Sequence, residues 1–249
     1  MSSAASAQVQ VLVTGTVPVS IQEEASRAVS AAFQRADVRP ADIRLRLTWH
    51  PDDRPRPAVA QVNAEVHGSA LRAQVSTGDL DTLAGAAVDR THAQLAVLGQ
   101  DWSPRVGPQE AKAWPSRDTR PSGERELVRV KSFSLDRLTS REAARQMDAM
   151  DYNFHLHANA ETGEGCMVYR IGPTGYRVST PNAHLGPPAG MTPPLTWQPK
   201  LLYRFTEGEA REYLDRIDLP FVYFYEGAVA KVMYRRFDGH YGLIRGRAE

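Results

Sequence analysis

A stretch of chain that occurs twice limits the fold before any single residue does. Residues 167–179 read MVYRIGPTGYRVS and residues 232–244 read VMYRRFDGHYGLI. Each holds Tyr-Arg and a second tyrosine seven positions after the first: Tyr169-Arg170 with Tyr176, and Tyr234-Arg235 with Tyr241. A glycine lies between the two tyrosines of each copy, Gly175 and Gly239. Upstream, Glu142-Ala143 matches Glu209-Ala210, Met147 matches Leu214 and Phe154 matches Phe221, all at an offset of 67. The tyrosines match at 65, because the turn of the second copy is two residues shorter. Such self-similarity implies two small modules of one plan. The first reads as strand RELVRVKSFSL, helix SREAARQMDAMDYNF with Ser140 as its cap, hairpin FHLHANAETGEGCMVYRI and strand GYRVS. The second repeats this as LLYRF, EGEAREYLDRIDLPF, VYFYEGAVAKVMYRRF and GHYGLI, so both are β-α-β-β-β.

Two proline-rich stretches separate the folded pieces. Residues 101–123 hold four prolines and residues 181–199 hold six. Proline removes a backbone donor and breaks helix and central strand, so both stretches read as linkers. The expected domains are 1–100, 124–180 and 200–249, joined by linkers 101–123 and 181–199.

Hydropathy orders the first piece. QVQVLVT (8–14) alternates, with Val9, Val11 and Val13 on one face of a strand. Ser20 is expected to cap a helix with Glu23 and Glu24 in its first turn. Its apolar stripe is Ile21, Ala25, Ala28, Ala32 and Phe33. IRLRLTWH (43–50) alternates, with Ile43, Leu45, Leu47 and Trp49 facing in. AVAQVNAEV and ALRAQVS form a hairpin around His67-Gly68-Ser69, and Asp79 caps a second amphipathic helix. The expected class is therefore α+β: a β-α-β-β-β-α domain, its four-stranded sheet covered on one face by two helices, followed by two β-α-β-β-β repeats. The uncovered face carries Arg44, Arg46 and Arg72, because the side-chain period in a strand is two. Arg27, Arg35 and Arg90 flank the helical stripes. Arginine suits bidentate contacts to phosphate. On spacing alone, an ordinary solvated sheet face explains the same residues.

Other constellations exclude function classes. The chain has no apolar run of membrane-spanning length, and its start lacks the pattern of a secretory signal. One cysteine, Cys166, allows no internal disulfide and fits a reducing cytosol. His155 and His157 share a strand face, but no Cys, Asp or Glu at the usual spacing completes a zinc set, so no metal is expected. TGEG and GPTG are turn glycines without phosphate-loop spacing. No catalytic constellation and no cofactor motif stands out, so an enzyme is not expected. The net charge of +1 gives no nucleic-acid signature, and residues 1–100 hold nine Arg, no Lys and ten acidic residues.

Residues 128–176 carry a resemblance. Arg129-Val130-Lys131 with Phe133, Glu142-Ala143 with Gln146-Met147, Phe154, Asn159-Ala160-Glu161-Thr162-Gly163-Glu164 and Val168-Tyr169-Arg170 resemble the C-terminal domain of long-form ribosome hibernation-promoting factors. YRRFDGHYGLI closes the second module as that domain usually closes. The doubled module resembles the actinobacterial dormancy-associated variant. The element order of residues 8–100, with GDLDTLAGAAVDRTHAQL, is similar to the family's ribosome-binding N-terminal domain. It departs from the family's basic pattern here: the second helix keeps Arg90 but has His92, Ala93 and no lysine, and Thr77 stands in the hairpin-to-helix region where a basic residue is common.

The resemblance implies a cytoplasmic factor that sits on the small ribosomal subunit, in the mRNA and tRNA channel. It would contact rRNA, and possibly ribosomal proteins, and block translation without chemistry. The rRNA contacts are expected at Arg27, Arg35, Arg44, Arg46, Arg72 and Arg90; no DNA and no membrane partner is expected. Two modules in one chain are expected to pair with each other, since a short linker holds them at roughly millimolar effective concentration. Phe154, Tyr169, Tyr176, Phe221, Tyr223, Tyr234 and Tyr241 are the expected pairing residues. The factor would then hold single ribosomes silent. Two alternatives stay open: an adaptor whose C-terminal pair docks a protein or another ribosomal site, and a factor that dimerises ribosomes.

Overall fold

A computed structural model describes residues 8–52, 58–98, 120–171, 175–181, 186–188, 191–198, 202–217 and 219–247. Most of the expected first linker, residues 101–119, lies outside the described residues. The chain divides into an N-terminal and a C-terminal unit, taken here in turn.

The N-terminal unit runs β1 (Val9–Gly15), α1 (Val19–Arg35), β2 (Ile43–Trp49), β3 (Ala58–Val66), β4 (Ser69–Thr77) and α2 (Leu83–Leu98). The sheet order is β1-β2-β3-β4, with β1 parallel to β2 and the other pairs antiparallel. The alternation in β2 and β3 places Ile43, Leu45, Leu47, Ala60 and Val62 in the core, under Ala25, Val29 and Phe33 of α1 and Leu83 and Ala87 of α2. A two-residue turn joins β3 to β4. His67 and Gly68 both take positive φ, 50° and 75°, which matches the twist of a tight hairpin.

Three local expectations change. Val13 is 41% exposed, because on this edge strand only Val9 and Val11 reach the core. The first helix starts at Val19, with Pro18 rather than Ser20 in the cap position and no side-chain cap. Proline's fixed φ, here −57°, sets the chain's entry, and Glu23 and Glu24 fall outside the first turn. Asp79 closes a turn ahead of α2: its carboxylate accepts from Thr82 N at 2.9 Å and Thr82 Oγ1 at 2.7 Å.

The C-terminal unit runs β5 (Leu127–Ser134), β6 (Arg137–Leu138), α3 (Ser140–Ala149), β7 (Phe154–Asn159), β8 (Gly165–Ile171) and β9 (Gly175–Ser179). It continues with β10 (Leu195–Gln198), β11 (Tyr203–Arg204), α4 (Glu207–Arg216), β12 (Phe221–Glu226), β13 (Val229–Arg235) and β14 (Tyr241–Arg247). Both helices start with the same reciprocal cap. Thr139 and Glu142 exchange bonds ahead of α3, and Thr206 and Glu209 do so ahead of α4. The cap of α3 is thus Thr139, and Ser140 is a buried first helical residue. The offset between the two boxes is again 67, and each satisfies two backbone donors.

The strands of the two repeats do not stay in separate sheets. One sheet is ordered β10-β9-β8-β7-β6 and the other β11-β12-β13-β14-β5. The first strand of repeat one, β5, lies parallel to β14 of repeat two. In return β10, ahead of repeat two, lies parallel to β9 of repeat one. The registers correspond: Leu127 pairs with Tyr241, and Leu195 pairs with Tyr176. Residues 195–198, inside the expected second linker, are therefore strand. Their backbone groups find partners on β9, and the four residues between Pro194 and Pro199 contain no proline.

Candidate functional sites

The face of the N-terminal sheet opposite its helices is the first candidate. Strand period and register place Gln10, Arg44, Asn63 and Arg72 in one row across the four strands. The next row is Leu12, Arg46, Gln61 and Gln74. Arg44 and Arg46 are exposed and Arg72 is half-buried. Arg44 Nε lies 2.8 Å from Asp42 Oδ2, and both side chains are open to solvent, so this pair holds the guanidinium weakly. Gln61 Nε2 donates to Asn63 Oδ1 at 3.1 Å. The face thus combines the exposed Arg44 and Arg46 with neutral amides that can donate to phosphate oxygens, while Arg72 Nη1 donates to the backbone carbonyls of Met150 at 3.2 Å and Asp151 at 3.3 Å. The amides were missed in the sequence, although strand register alone places them there. Arg27 and Arg35 lie exposed on α1, and Arg90 lies on α2, so the structure sets these three in the helical layer.

The second candidate is the contact between the C-terminal sheets. Leu135, Leu156, Ala158 and Met167 from repeat one form a single buried cluster with Tyr223, Ala230 and Val232 from repeat two. Its aromatic contacts come in equivalent pairs. The rings of Phe154 and Phe221, which occupy corresponding positions, lie 5.0 Å apart. Phe154 meets Tyr234 at 5.7 Å, and Phe221 meets Tyr169 at 5.5 Å. Reciprocity of this kind is the mark of a twofold interface, here approximate and within one chain. Gly165 and Ala230 also correspond, and a Cβ on Gly165 would lie 2.7 Å from that of Ala230. The Gly165 carbonyl accepts from both Tyr223 Oη at 2.6 Å and Tyr225 Oη at 2.8 Å. Leu135 and Leu202 also correspond and pack at this contact. They sit where the chain passes from an exchanged strand back to its own repeat.

Tyr176 and Tyr241 are placed differently from the expectation. Both are fully buried on the other side of their sheets. Tyr176 donates to Asp148 Oδ2 at 2.7 Å, and Arg170 Nη2 donates to Asp148 Oδ1 at 2.5 Å. Tyr241 donates to Asp215, the counterpart of Asp148, which also accepts from Arg125 Nη1 at 2.7 Å. Burial, and then Asp215 beside it, push the Tyr241 hydroxyl up to about 12. The period of two decides this. Tyr169 pairs with Arg177 and Tyr176 with Arg170, successive pairs of one ladder that face opposite ways, so one tyrosine points to the interface and the other away from it.

His155 and His157 also point away from the interface, alternating with Phe154, Leu156 and Ala158. Their rings are parallel with centroids 6.4 Å apart. Burial holds His155 down to about 4 and His157 down to about 3. Cys166, the cross-strand neighbour of His157, is buried, and its thiol is pushed up to about 12, which leaves it unreactive. Among the described residues no group of His, Cys, Asp and Glu is arranged to hold a metal ion. No described helix is long and apolar enough to cross a membrane.

Several known proteins are similar to this chain. The family model described as "Sigma 54 modulation/S30EA ribosomal protein C terminus" matches residues 122–178. The "Dormancy associated translation inhibitor" of Mycobacterium tuberculosis strain H37Rv is 33% identical over 241 residues, 92% of this chain and 85% of that protein. The protein of the same name from strain CDC 1551 matches to the same extent. A solved structure of a ribosomal subunit interface protein from Coxiella burnetii is 14% identical, with 36% of this chain and 96% of that chain covered and a TM-score of 0.30. With near-full-length identity to two such relatives and the repeat domain in place, the chain belongs to the long-form ribosome hibernation-promoting factor family.

Proposed function

We propose that the chain is a ribosome-bound translation inhibitor of the cytoplasm that keeps ribosomes single. Its N-terminal sheet face would lie on rRNA phosphates of the small subunit, in the channel of mRNA and tRNA. Arg44 and Arg46 would hold phosphates, with the amides of the same rows fixing register; Arg72 would join them only by leaving the carbonyls of Met150 and Asp151. Such contacts position a protein without reading sequence. Arg27 and Arg35 lie in the other layer and would touch rRNA only where it wraps around the domain's side, while the Arg90 guanidinium is held by the Asp151 carboxylate.

The reciprocal strand exchange carries the reading of single ribosomes. Each repeat completes the other's sheet, and their apolar faces are spent on one another. A module satisfied within its own chain has no equivalent surface left for a second chain. The relatives' name, dormancy associated translation inhibitor, supports the inhibitory role.

The double variant Arg44→Glu/Arg46→Glu tests the N-terminal site. Co-sedimentation with small subunits at moderate salt is expected to fall at least ~10-fold, because two phosphate contacts become repulsions. Binding that is unchanged would place the main anchor in the C-terminal unit and favour an adaptor.

A further inference from the structure

Strand β1 closes one side of the N-terminal sheet, and among the described residues no strand lies against its outer backbone edge. An uncovered edge is a template for pairing with another chain, and folded proteins ordinarily guard it with charge, proline or a very short strand. The other outer strands carry such guards. β4 holds Arg72 and β5 holds Arg129 and Lys131, while β6, β10 and β11 are only two to four residues long. β1, VQVLVTG, runs seven residues with neither charge nor proline. It is apolar on both faces as well: Leu12 is 38% exposed on the open face and Val13 is 41% exposed on the helix face. Beside it α1 leaves a groove lined by Val11, Val19, Gln22, Glu23, Ser26 and Arg27. Val19 is 66% exposed there.

We infer that β1 is a self-association edge, which pairs antiparallel with β1 of a second copy of this chain about a twofold axis normal to the sheet. Such an axis keeps each face with its like, so the exposed valines meet valines and the Leu12 side meets its equivalent. The helix layer then fits. α1 packs on β1, and α2 packs on β3 and β4. With strands about 4.8 Å apart and the two helices about 10 Å apart, α1 lies about 2 Å inside β1. Joining two such sheets leaves the α1 helices about 9 Å apart, an ordinary packing distance. The charges are self-complementary too. Glu23 and Arg27 are exposed, one turn apart on the groove side of α1. Arg27 Nε donates to the Glu23 carbonyl at 3.3 Å, a backbone contact that does not use its Nη nitrogens. Antiparallel helices related about a point between these residues set Glu23 against the partner's Arg27, and Arg27 against the partner's Glu23. The paired form belongs to the free protein. On the reading proposed above, rRNA lying beside Arg44 and Arg46 takes the partner's place, so ribosome-bound protein is unpaired.

The test is sedimentation velocity of the full chain, without ribosomes, over a rising series of concentrations. The wild type is expected to pass from one chain to two. Leu12→Lys/Val13→Lys, which sets like charges along the pairing edge, should raise the dissociation constant at least ~10-fold. Glu23→Arg and Arg27→Glu should each raise it about threefold or more, because like charges then face each other across the axis. An equimolar mixture of these two single variants should pair as well as the wild type, since opposite charges again meet. A role of either residue inside its own chain would not be rescued by mixing. Circular dichroism checks folding, and the exposed α1 variants carry the test if Leu12→Lys/Val13→Lys unfolds. A chain that stays single at every concentration overturns the inference and leaves the edge to an extended segment of another protein. Self-association that ignores all four substitutions also overturns it, and would count against pairing of the repeats within one chain. Failure of the rRNA reading looks different: Arg44→Glu/Arg46→Glu would keep full ribosome binding while the sedimentation results stand.

Discussion

Asp148→Ala is expected to destabilise the C-terminal unit by about 3–5 kcal/mol, the usual cost of leaving one partner of a buried ion pair alone. The Asp148 side chain has no solvent exposure and that of Arg170 has 7%. Removing the carboxylate strands the Arg170 guanidinium inside the module and takes the acceptor from the Tyr176 hydroxyl. Asp148→Asn keeps an acceptor and the shape, and should cost less. The effect is read as a urea midpoint from Trp197, with Trp49, Trp102 and Trp114 replaced by Phe. Trp197 is a suitable reporter because it sits in the exchanged strand β10 and its Nε1 donates to Thr180 Oγ1 at 3.2 Å. A loss below about 1 kcal/mol would mean that water reaches the pair, at odds with its burial.

Acid is expected to weaken the same module by a similar amount. His155 is held at about 4 and His157 at about 3, against 6.5 for an unperturbed imidazole. Burial is the main cause for both; Asp136 partly offsets it at His155, and the neighbouring ring adds to it at His157. Below pH 6.5 the unfolded chain takes up protons that the folded module refuses. Stability is therefore full above about 6.5 and falls as pH drops toward the folded values. At pH 5 each histidine accounts for about 2 kcal/mol, at 1.36 kcal/mol per unit, or about 4 together. Repeat two has Val222 and Phe224 at the corresponding positions, buried with Leu214 and Met233. His155→Val/His157→Phe should consequently flatten the pH dependence of the Trp197 transition between pH 7 and 5. A wild-type midpoint that does not move over that range would show that the rings are solvated.

How much of this could be read from the chain depends on the period of each element. The α+β class and the order of the N-terminal unit follow from clean alternation in IRLRLTWH and from two helical stripes. The repeat was visible because Glu142-Ala143, Phe154 and the tyrosines recur at nearly fixed offsets. The strand exchange was hidden. Leu195–Gln198 follows six residues that include two adjacent prolines, and local composition there outweighs a four-residue strand whose partner is distant in sequence. Faces were lost for the same reason in Tyr176 and Tyr241. A tyrosine's identity suits an interface and a core equally well, and only register shows that each lies on the far side of its sheet from Tyr169 or Tyr234. The capping boxes, by contrast, stand in the sequence as Thr139-x-x-Glu142 and Thr206-x-x-Glu209, with the known signature. The six arginines split into two layers because three sit on strands and three on helices, a distinction the strand period already contains.

The central claim is that the two C-terminal repeats pair within one chain and leave ribosomes single. Its most direct test is a sucrose gradient of intact ribosomes with saturating purified full-length protein, at low and moderate salt. The account predicts that the protein travels with the single-ribosome peak at both salts and that no heavier ribosome-dimer peak grows. A dimer peak that rises in proportion to added protein would contradict it, because the modules would then be pairing between chains.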